Sequence, residues 1–182
     1  MKIGLIGEAP NDTKSISNLF KKQYPNCNFI TLLHSITGDM LEEQRHKHLL
    51  RREYQWHKPD IVIFIRDLDG LENNKTQLNL RKEYFTNYNS IVDKKGMFLL
   101  HVYEIEALIL TDINTFNTLY KTEITVDKDP MLISEPKEYL QSKCNKYKPS
   151  DNSYIFDNLD FEKLLDCRYF SNFIKNFNKI VN

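Results

Sequence analysis

The chain has 182 residues, enough for one domain with a sizeable core and few for two. Hydrophobic residues make up 41% of it and charged residues 27%, a composition typical of a globular protein rather than a disordered chain. Lys and Arg total 25, as do Asp and Glu, so the formal net charge is zero. This balance argues against a protein that holds nucleic acid by bulk positive charge alone, but not against a nuclease that recruits metal ions.

The sequence shows no sign of a membrane anchor or an exported domain. No run of about 18 apolar residues is long enough to cross a bilayer. The opening residues, MKIGLIGEAP, lack the apolar region and cleavage site of a signal peptide. Cys27, Cys144 and Cys167 are odd in number and widely spaced, which favours free thiols over a disulfide framework. We therefore expect a cytoplasmic protein.

Apolar runs alternate with helical patterns along the first half of the chain. This order, β-α-β-α-β-α-β, predicts an α/β fold with a parallel four-stranded sheet and helices on both faces. The strands are continuous apolar runs, as in strands buried on both sides. The predicted strands are 2–6, 28–33, 60–66 and a run from Met97 through MFLLHVYEIE, and the predicted helices are 11–24, 38–57 and 76–93.

The pattern changes after the fourth strand. The segment EIEALILTDINTFNTLY, residues 104–120, has a helical pattern, and the chain from Lys121 onward is polar and mostly helical. We predict an α/β core over residues 1–110. Residues 111–182 are predicted to form a mostly helical cap packed on that core rather than an independent domain.

Acidic residues follow three of the four predicted strands. Ligands of an open α/β sheet bind beyond the carboxyl ends of the strands, so we expect these acids to meet there. Clustered carboxylates raise one another's pKa unless a cation joins them, and hard oxygen ligands suit Mg²⁺ or Mn²⁺. The acids are Glu8 after the first strand, Asp67 and Asp69 after the third, and Glu104 and Glu106 at the fourth.

Other interpretations of the same residues remain open. The Asp67-x-Asp69-Gly70 stretch suits an ordinary turn, and it also occurs after strands of nucleotide-sugar glycosyltransferases. A haloacid-type phosphatase would need an Asp on the first strand, where this chain has Glu8. Asp12 is expected to cap the first helix or to lie in its first turn rather than to bind a ligand. For Glu104 and Glu106 the alternative is the start of a helix, where the helix dipole favours acids.

Glu8 after the first strand, with Asp67-Leu68-Asp69-Gly70 after the third, resembles the signature of the Toprim fold over roughly residues 1–110. The usual first motif of that fold is Glu-Gly, and this chain has Glu8-Ala9. The second half resembles a family of small stand-alone Toprim-like proteins often encoded beside ABC-type ATPases, similar to OLD nucleases split into two chains. The segments that carry this second resemblance are 101–112, 136–140, 146–151 and 167–177.

The resemblance implies a Mg²⁺- or Mn²⁺-dependent nuclease, the effector of a two-component ATPase–nuclease defence system against phage. It implies catalytic and metal-binding roles for Glu8, Asp67 and Asp69, with Glu104 or Glu106 as a further metal ligand. It also implies a late catalytic lysine, for which Lys148 is the best match and Lys137, Lys143 and Lys146 are alternatives.

The function and the partners of the chain remain open on three points. The rival expectation is a non-catalytic regulatory or nucleotide-sensing partner of an ATPase. The sequence leaves open whether the nucleic acid substrate is DNA or RNA and whether the chain forms a homo-oligomer.

Overall fold

Four parallel strands form one sheet with the order β2-β1-β3-β4. The computed structural model describes residues 1–8, 10–37 and 39–181, and only the backbone of Asp39 and Glu42. The α/β fold, the parallel four-stranded sheet with flanking helices and the helical C-terminal part are confirmed. Strand β1 spans Lys2–Ile6, β2 Asn28–Thr31, β3 Ile61–Asp67 and β4 Gly96–His101.

Helices connect the strands and make up most of the chain after β4. The first three are α1, Asn11–Gln23, α2, Gln44–His57, and α3, Lys75–Asn89. The later ones are α4, Ala107–Thr111, α5, Ile113–Tyr120, α6, Pro136–Lys143, α7, Asn152–Asn158, α8, Phe161–Leu164, and α9, Arg168–Val181. Short 3₁₀ turns lie at Asp39–Glu42, Pro130–Leu132 and Pro149–Asp151.

The sheet buries apolar side chains on both faces, because successive residues of a strand point to opposite sides. In β3, Ile61, Ile63 and Ile65 join the core that includes α1 and the C-terminal helices. Val62 and Phe64 join the second core, under α2 and α3. The chain leaves β1 toward β2 on one side and later forms β3 on the other. The carboxyl ends of β1 and β3 are therefore neighbours at the topological switch point, where open α/β sheets bind ligands.

The C-terminal helices share a core with the sheet. Phe20 of α1 contacts Phe170, Phe173 and Phe177 of α9, with ring centroids 5.6–6.2 Å apart. All four rings are buried, and such ring pairs add to the free energy gained from burial. Residues on both sides of the predicted boundary at 110 thus pack into one core. The boundary itself stays a prediction.

Three predicted elements differ most from the structure, and the predicted β2 and α3 run two and four residues past the observed ends. Residue 38 lies outside the described residues. The rest of the helix predicted for 38–57 is interrupted at Glu43, which is extended with φ −71° and ψ 145°. Strand β4 ends at His101, since Tyr103 turns the chain with a φ of 55°. The helix predicted for 104–120 is divided at Asp112, whose buried carboxylate accepts bonds from Asp160 N at 2.9 Å and Lys163 Nζ at 3.0 Å.

In the part of the chain that the structure describes, no helix is long and apolar enough to cross a membrane.

Candidate functional site

The end of β1 places Glu8 directly beside β3. A Cβ at Gly7 would lie 3.0 Å from Ile65 Cβ and 3.2 Å from the Ile65 carbonyl oxygen, so the close approach of the two strands favours glycine here. The Glu8 carbonyl oxygen then accepts the Asp12 N–H at 2.9 Å, which joins the strand to the first turn of α1. The Glu8 side chain is exposed, whereas Asp12 is buried.

The end of β3 turns sharply through Asp67 and Asp69. Asp69 has a φ of 55°, a left-handed conformation that Asp tolerates better than most residues. Its N–H donates to the Tyr103 carbonyl oxygen at 3.1 Å, so the turn is anchored on the chain that follows β4. Arg81 of α3 donates from Nε to the Asp67 carbonyl oxygen at 2.8 Å and pairs with the Asp69 carboxylate. Arg81 thereby fixes the turn from its exposed side.

Glu104 contacts the first turn of α6 and does not belong to the group of acids near Asp67. It pairs with Lys137 Nζ at 2.8 Å and accepts the Lys137 N–H at 3.0 Å, so it caps the start of α6. Burial alone would lower the pKa of Lys137, but the hydrogen bond and charge of Glu104 raise it above its ordinary value. A carboxylate at this position is favoured by the helix dipole and stabilises α6.

Glu106 points inward and is held by two polar side chains of the C-terminal region. Its Oε1 accepts Asn152 Nδ2 at 2.9 Å and lies 3.5 Å from the Tyr147 hydroxyl. The same hydroxyl donates to Asn152 Oδ1 at 2.8 Å. All three residues are buried. Such a network, closed on itself, fixes one orientation of the Glu106 carboxylate.

Carboxylates at the carboxyl end of the sheet influence one another electrostatically. Burial raises the pKa of Asp67 well above its ordinary value, and the charges of four other acids raise it further. Burial likewise raises the pKa of Asp12, with added repulsion from Glu8 and Glu106 and a smaller opposing effect of Arg66. Burial also raises the pKa of Glu106. We call this group the acidic cluster: Glu8, Asp12, Asp67, Asp69 and Glu106.

Two polar atoms near the turn have no hydrogen-bond partner among the described residues. They are Asp67 Oδ1 and His101 Nε2, and both are buried. Asp67 and His101 are register partners in β3 and β4, so their side chains leave the sheet on the same face. Burial lowers the pKa of His101 to about 3, which keeps the imidazole neutral. A buried carboxylate oxygen without a partner is unfavourable, and a cation at that position would relieve the cost.

The acidic cluster is a set of hard oxygen donors, the type that Mg²⁺ and Mn²⁺ prefer. Its donor chemistry and the lone Asp67 oxygen fit such an ion. In the described part of the chain, however, no three His, Cys, Asp or Glu side chains lie close enough together to enclose one metal ion. Arg81 also occupies an oxygen of one expected ligand, Asp69.

Of the acids that the sequence singled out, Glu8, Asp69 and Glu106 lie near enough to Asp67 to raise its pKa, but among the described residues no three lie close enough to share a metal ion as predicted. Glu8, Asp67 and Asp69 lie in the acidic cluster, and of the two later acids Glu106 joins it while Glu104 caps α6. Lys148 lies on an exposed turn, where its N–H donates to Asp151 Oδ2 at 3.2 Å. The lysine that contacts an acid of this region is Lys137, one of the alternatives to Lys148.

Two contributions to the site were missed from the sequence. Asp12 does lie in the first turn of α1, as expected, yet it is buried and belongs to the acidic cluster. Its position four residues after Glu8 was the available signal, since the first turn of a helix after a strand returns to the strand end. Asn152 gave no signal, because its contact with Glu106 joins residues 46 positions apart.

No family model matches this chain, and neither the curated proteins nor the solved structures compared with it yield a match.

Proposed function

We propose that the protein is a Mg²⁺- or Mn²⁺-dependent nuclease with a Toprim-like core, which hydrolyses phosphodiester bonds of nucleic acid. The observation that supports this most is the acidic cluster at the switch point between β1 and β3. Several buried carboxylates with raised pKa values are unfavourable for the fold alone and are characteristic of functional sites. The Toprim resemblance of Glu8 and the Asp67-x-Asp69 turn points to the same chemistry.

The ligands of the ion would be Glu8, Asp67 and Asp69, with Glu106 as the acid from the chain after β4. A bound divalent cation would supply Lewis-acid stabilisation of the negative charge that develops on the phosphate. Because Arg81 pairs with Asp69, binding of the ion competes with that arginine for the carboxylate. The affinity is accordingly expected to rise when Arg81 is removed.

The remaining chemistry belongs to the side chains of the protein. Glu8 is exposed beside the buried acids, where its carboxylate can accept the proton of an attacking water. A lysine would neutralise charge on the phosphate oxygens. The sequence resemblance favours Lys148 for this role, and the contact with Glu104 favours Lys137.

The resemblance also supports an ABC-type ATPase as the partner in a two-component defence system. With no net charge, the chain gains little from bulk counterion release, so the ATPase would supply substrate affinity or the trigger. Cys27, Cys144 and Cys167 are free cysteines.

The proposal is tested by cleavage of fluorescently labelled DNA and RNA with Mg²⁺, Mn²⁺ or EDTA, with and without the ATPase encoded nearby. Wild type should cleave only with metal, and Asp67→Asn and Glu8→Gln should each lose at least about 100-fold in rate, as expected for catalytic groups. The matched control is Asp60→Asn, an exposed Asp before the amino end of β3 that accepts Lys2 N–H at 2.7 Å.

Full cleavage by Asp67→Asn would show that the acidic cluster is not catalytic. Binding of the ATPase without cleavage by any variant or by wild type would support the non-catalytic partner in place of the nuclease.

A further inference from the structure

The outer face of α2 carries cations and one aromatic side chain. Arg45, His48, Arg52 and Trp56 are spaced by three, four and four residues, so they lie in one row along the helix. All four are exposed, and Arg51 is exposed beside the row. We call these five residues the α2 basic face.

The fold does not use the α2 basic face. The helix packs on the sheet through the opposite side, where His46, Leu50 and Tyr54 are buried. Trp56 is 81% exposed. Exposing so large an aromatic surface to water is unfavourable, and an exposed Trp with Arg neighbours is typical of binding surfaces.

Charge is distributed unevenly although the chain as a whole is neutral. Helix α2 contains four Lys or Arg residues, three His and a single acid, Glu53. Arg45 pairs with Glu43, and Arg52 pairs with Glu53 at 3.0 Å. Exposed pairs of this kind contribute about 0–1 kcal/mol. A phosphate group can therefore replace either carboxylate at little cost.

We infer that the α2 basic face binds single-stranded nucleic acid, with phosphates on the arginines and one base stacked on Trp56. The inference rests on the proposed function for the class of ligand. A row of cationic side chains that ends in one indole matches a chain in which a charged phosphate neighbours a flat base. A base offers a flat face to the indole, and its phosphate offers a charge to the neighbouring arginine, so one nucleotide can contact both groups.

The direction of α2 connects this face to the acidic cluster. The helix follows β2 and returns the chain to β3, so its first residues lie toward the carboxyl end of the sheet. Arg45 is therefore nearest to the acids, and Trp56 lies about 16 Å further along the axis, at 1.5 Å per residue. A single-stranded nucleic acid bound along this face would therefore extend toward the acidic cluster.

Trp56 is the only tryptophan of the chain, so intrinsic fluorescence reports directly on this face. The experiment titrates the full chain in EDTA, at low salt and pH 8, with single-stranded dT12 and with a duplex of equal length. We expect saturable quenching by dT12, weaker quenching by the duplex, and loss of binding as salt is added. Because metal is absent, failure to bind and failure to cleave are separate results.

Variants assign the binding to the arginines and the indole, with a labelled dT12 and fluorescence anisotropy as the readout. Arg51→Ala and Arg52→Ala should each reduce the slope of log affinity against log salt by about 0.7, and Lys175→Ala on the exposed side of α9 should not. Trp56→Ala should weaken binding about 5- to 150-fold, and Trp56→Phe should retain most of it.

Three outcomes would overturn the inference. One is absence of quenching by dT12 at low salt, and another is an equal loss of affinity in Lys175→Ala and Arg52→Ala. The third is quenching by poly-glutamate but not by dT12, which would make the face a docking site for an acidic protein.

Discussion

Replacing Asp67 by Asn should stabilise the metal-free protein. Burial and the charges of four other acids raise the pKa of Asp67, so its ionised form is unfavourable in the folded state. Asn retains the shape of the side chain and removes the charge. The gain in the free energy of unfolding should be largest near pH 8. At that pH the wild-type carboxyl group is either ionised, which is unfavourable, or protonated from a solution with few protons, which is also unfavourable.

The expected size of the effect follows from the burial of Asp67 Oδ1, which has no hydrogen-bond partner among the described residues. Asn leaves a neutral polar atom at this position, so the substitution removes only the additional cost of burying a charge, which is on the order of 1–3 kcal/mol. For a domain of this length, 1 kcal/mol corresponds to about 2–4 °C in Tm. Asp67→Asn should therefore melt about 2–12 °C above wild type at pH 8.

The dependence on pH has a definite sign. A carboxyl group with a raised folded pKa contributes stability below its unfolded pKa, near 3.8, and that contribution is lost as the pH rises through the folded pKa. The advantage of Asp67→Asn should therefore disappear as the pH falls from 8 toward 4.

Thermal melting in EDTA across this pH range is the measurement, and Asp69→Asn is the matched control. Asp69 is 55% exposed and paired with Arg81, so its replacement should change stability by no more than about 1 kcal/mol. A lower Tm for Asp67→Asn than for wild type at pH 8 would refute the reasoning. An advantage of Asp67→Asn unchanged at pH 4 would do the same.

Three further predictions concern the surroundings of the acidic cluster. Asn152→Ala should lower the free energy of unfolding by about 1–3 kcal/mol in denaturant titrations, since it removes a buried hydrogen-bond partner from both Glu106 and Tyr147; an unchanged midpoint would show that the network is not needed. His101→Leu should gain Tm relative to wild type as the pH falls below 6.5, because the buried imidazole, with its pKa lowered to about 3, contributes stability that is lost as the unfolded chain binds protons; a constant difference between pH 7.5 and 5 would contradict this. Arg81→Ala should tighten Mn²⁺ binding in calorimetric titrations by freeing the Asp69 carboxylate, and weaker binding would show that Arg81 supports the site.

The order of the strands and helices was predictable because local signals dominate it. The apolar run of β3 ends at the Asp67 turn, and Pro59 and Gly96 lie at strand boundaries. The hydrophobic pattern and the turn residues thus indicate the same elements as the fold. Boundaries set by tertiary contacts were not predictable. Strand β4 ends at His101 although the apolar pattern continues, because Tyr103 binds the turn after β3 instead of extending the ladder.

The acids divide in the same way. That Glu8 and Asp67 would meet follows from their positions after two strands of one parallel sheet. The different positions of Glu104 and Glu106 could not be predicted. Glu104 contacts Lys137, 33 positions away, and Glu106 contacts Asn152, 46 positions away. The pair between Arg81 of α3 and Asp69 in the turn after β3 is likewise a contact that no local sequence pattern predicts.

Binding of Mn²⁺ is the most direct measure of whether the acidic cluster is a metal site. Electron paramagnetic resonance at pH 8 reports the free ion in mixtures with wild type, Asp67→Asn and the control Asp60→Asn. Wild type and the control should remove Mn²⁺ from solution, and Asp67→Asn should remove far less, because it lacks the buried oxygen that has no other partner. Equal uptake by Asp67→Asn and wild type, or no uptake by wild type at millimolar Mn²⁺, would contradict the account.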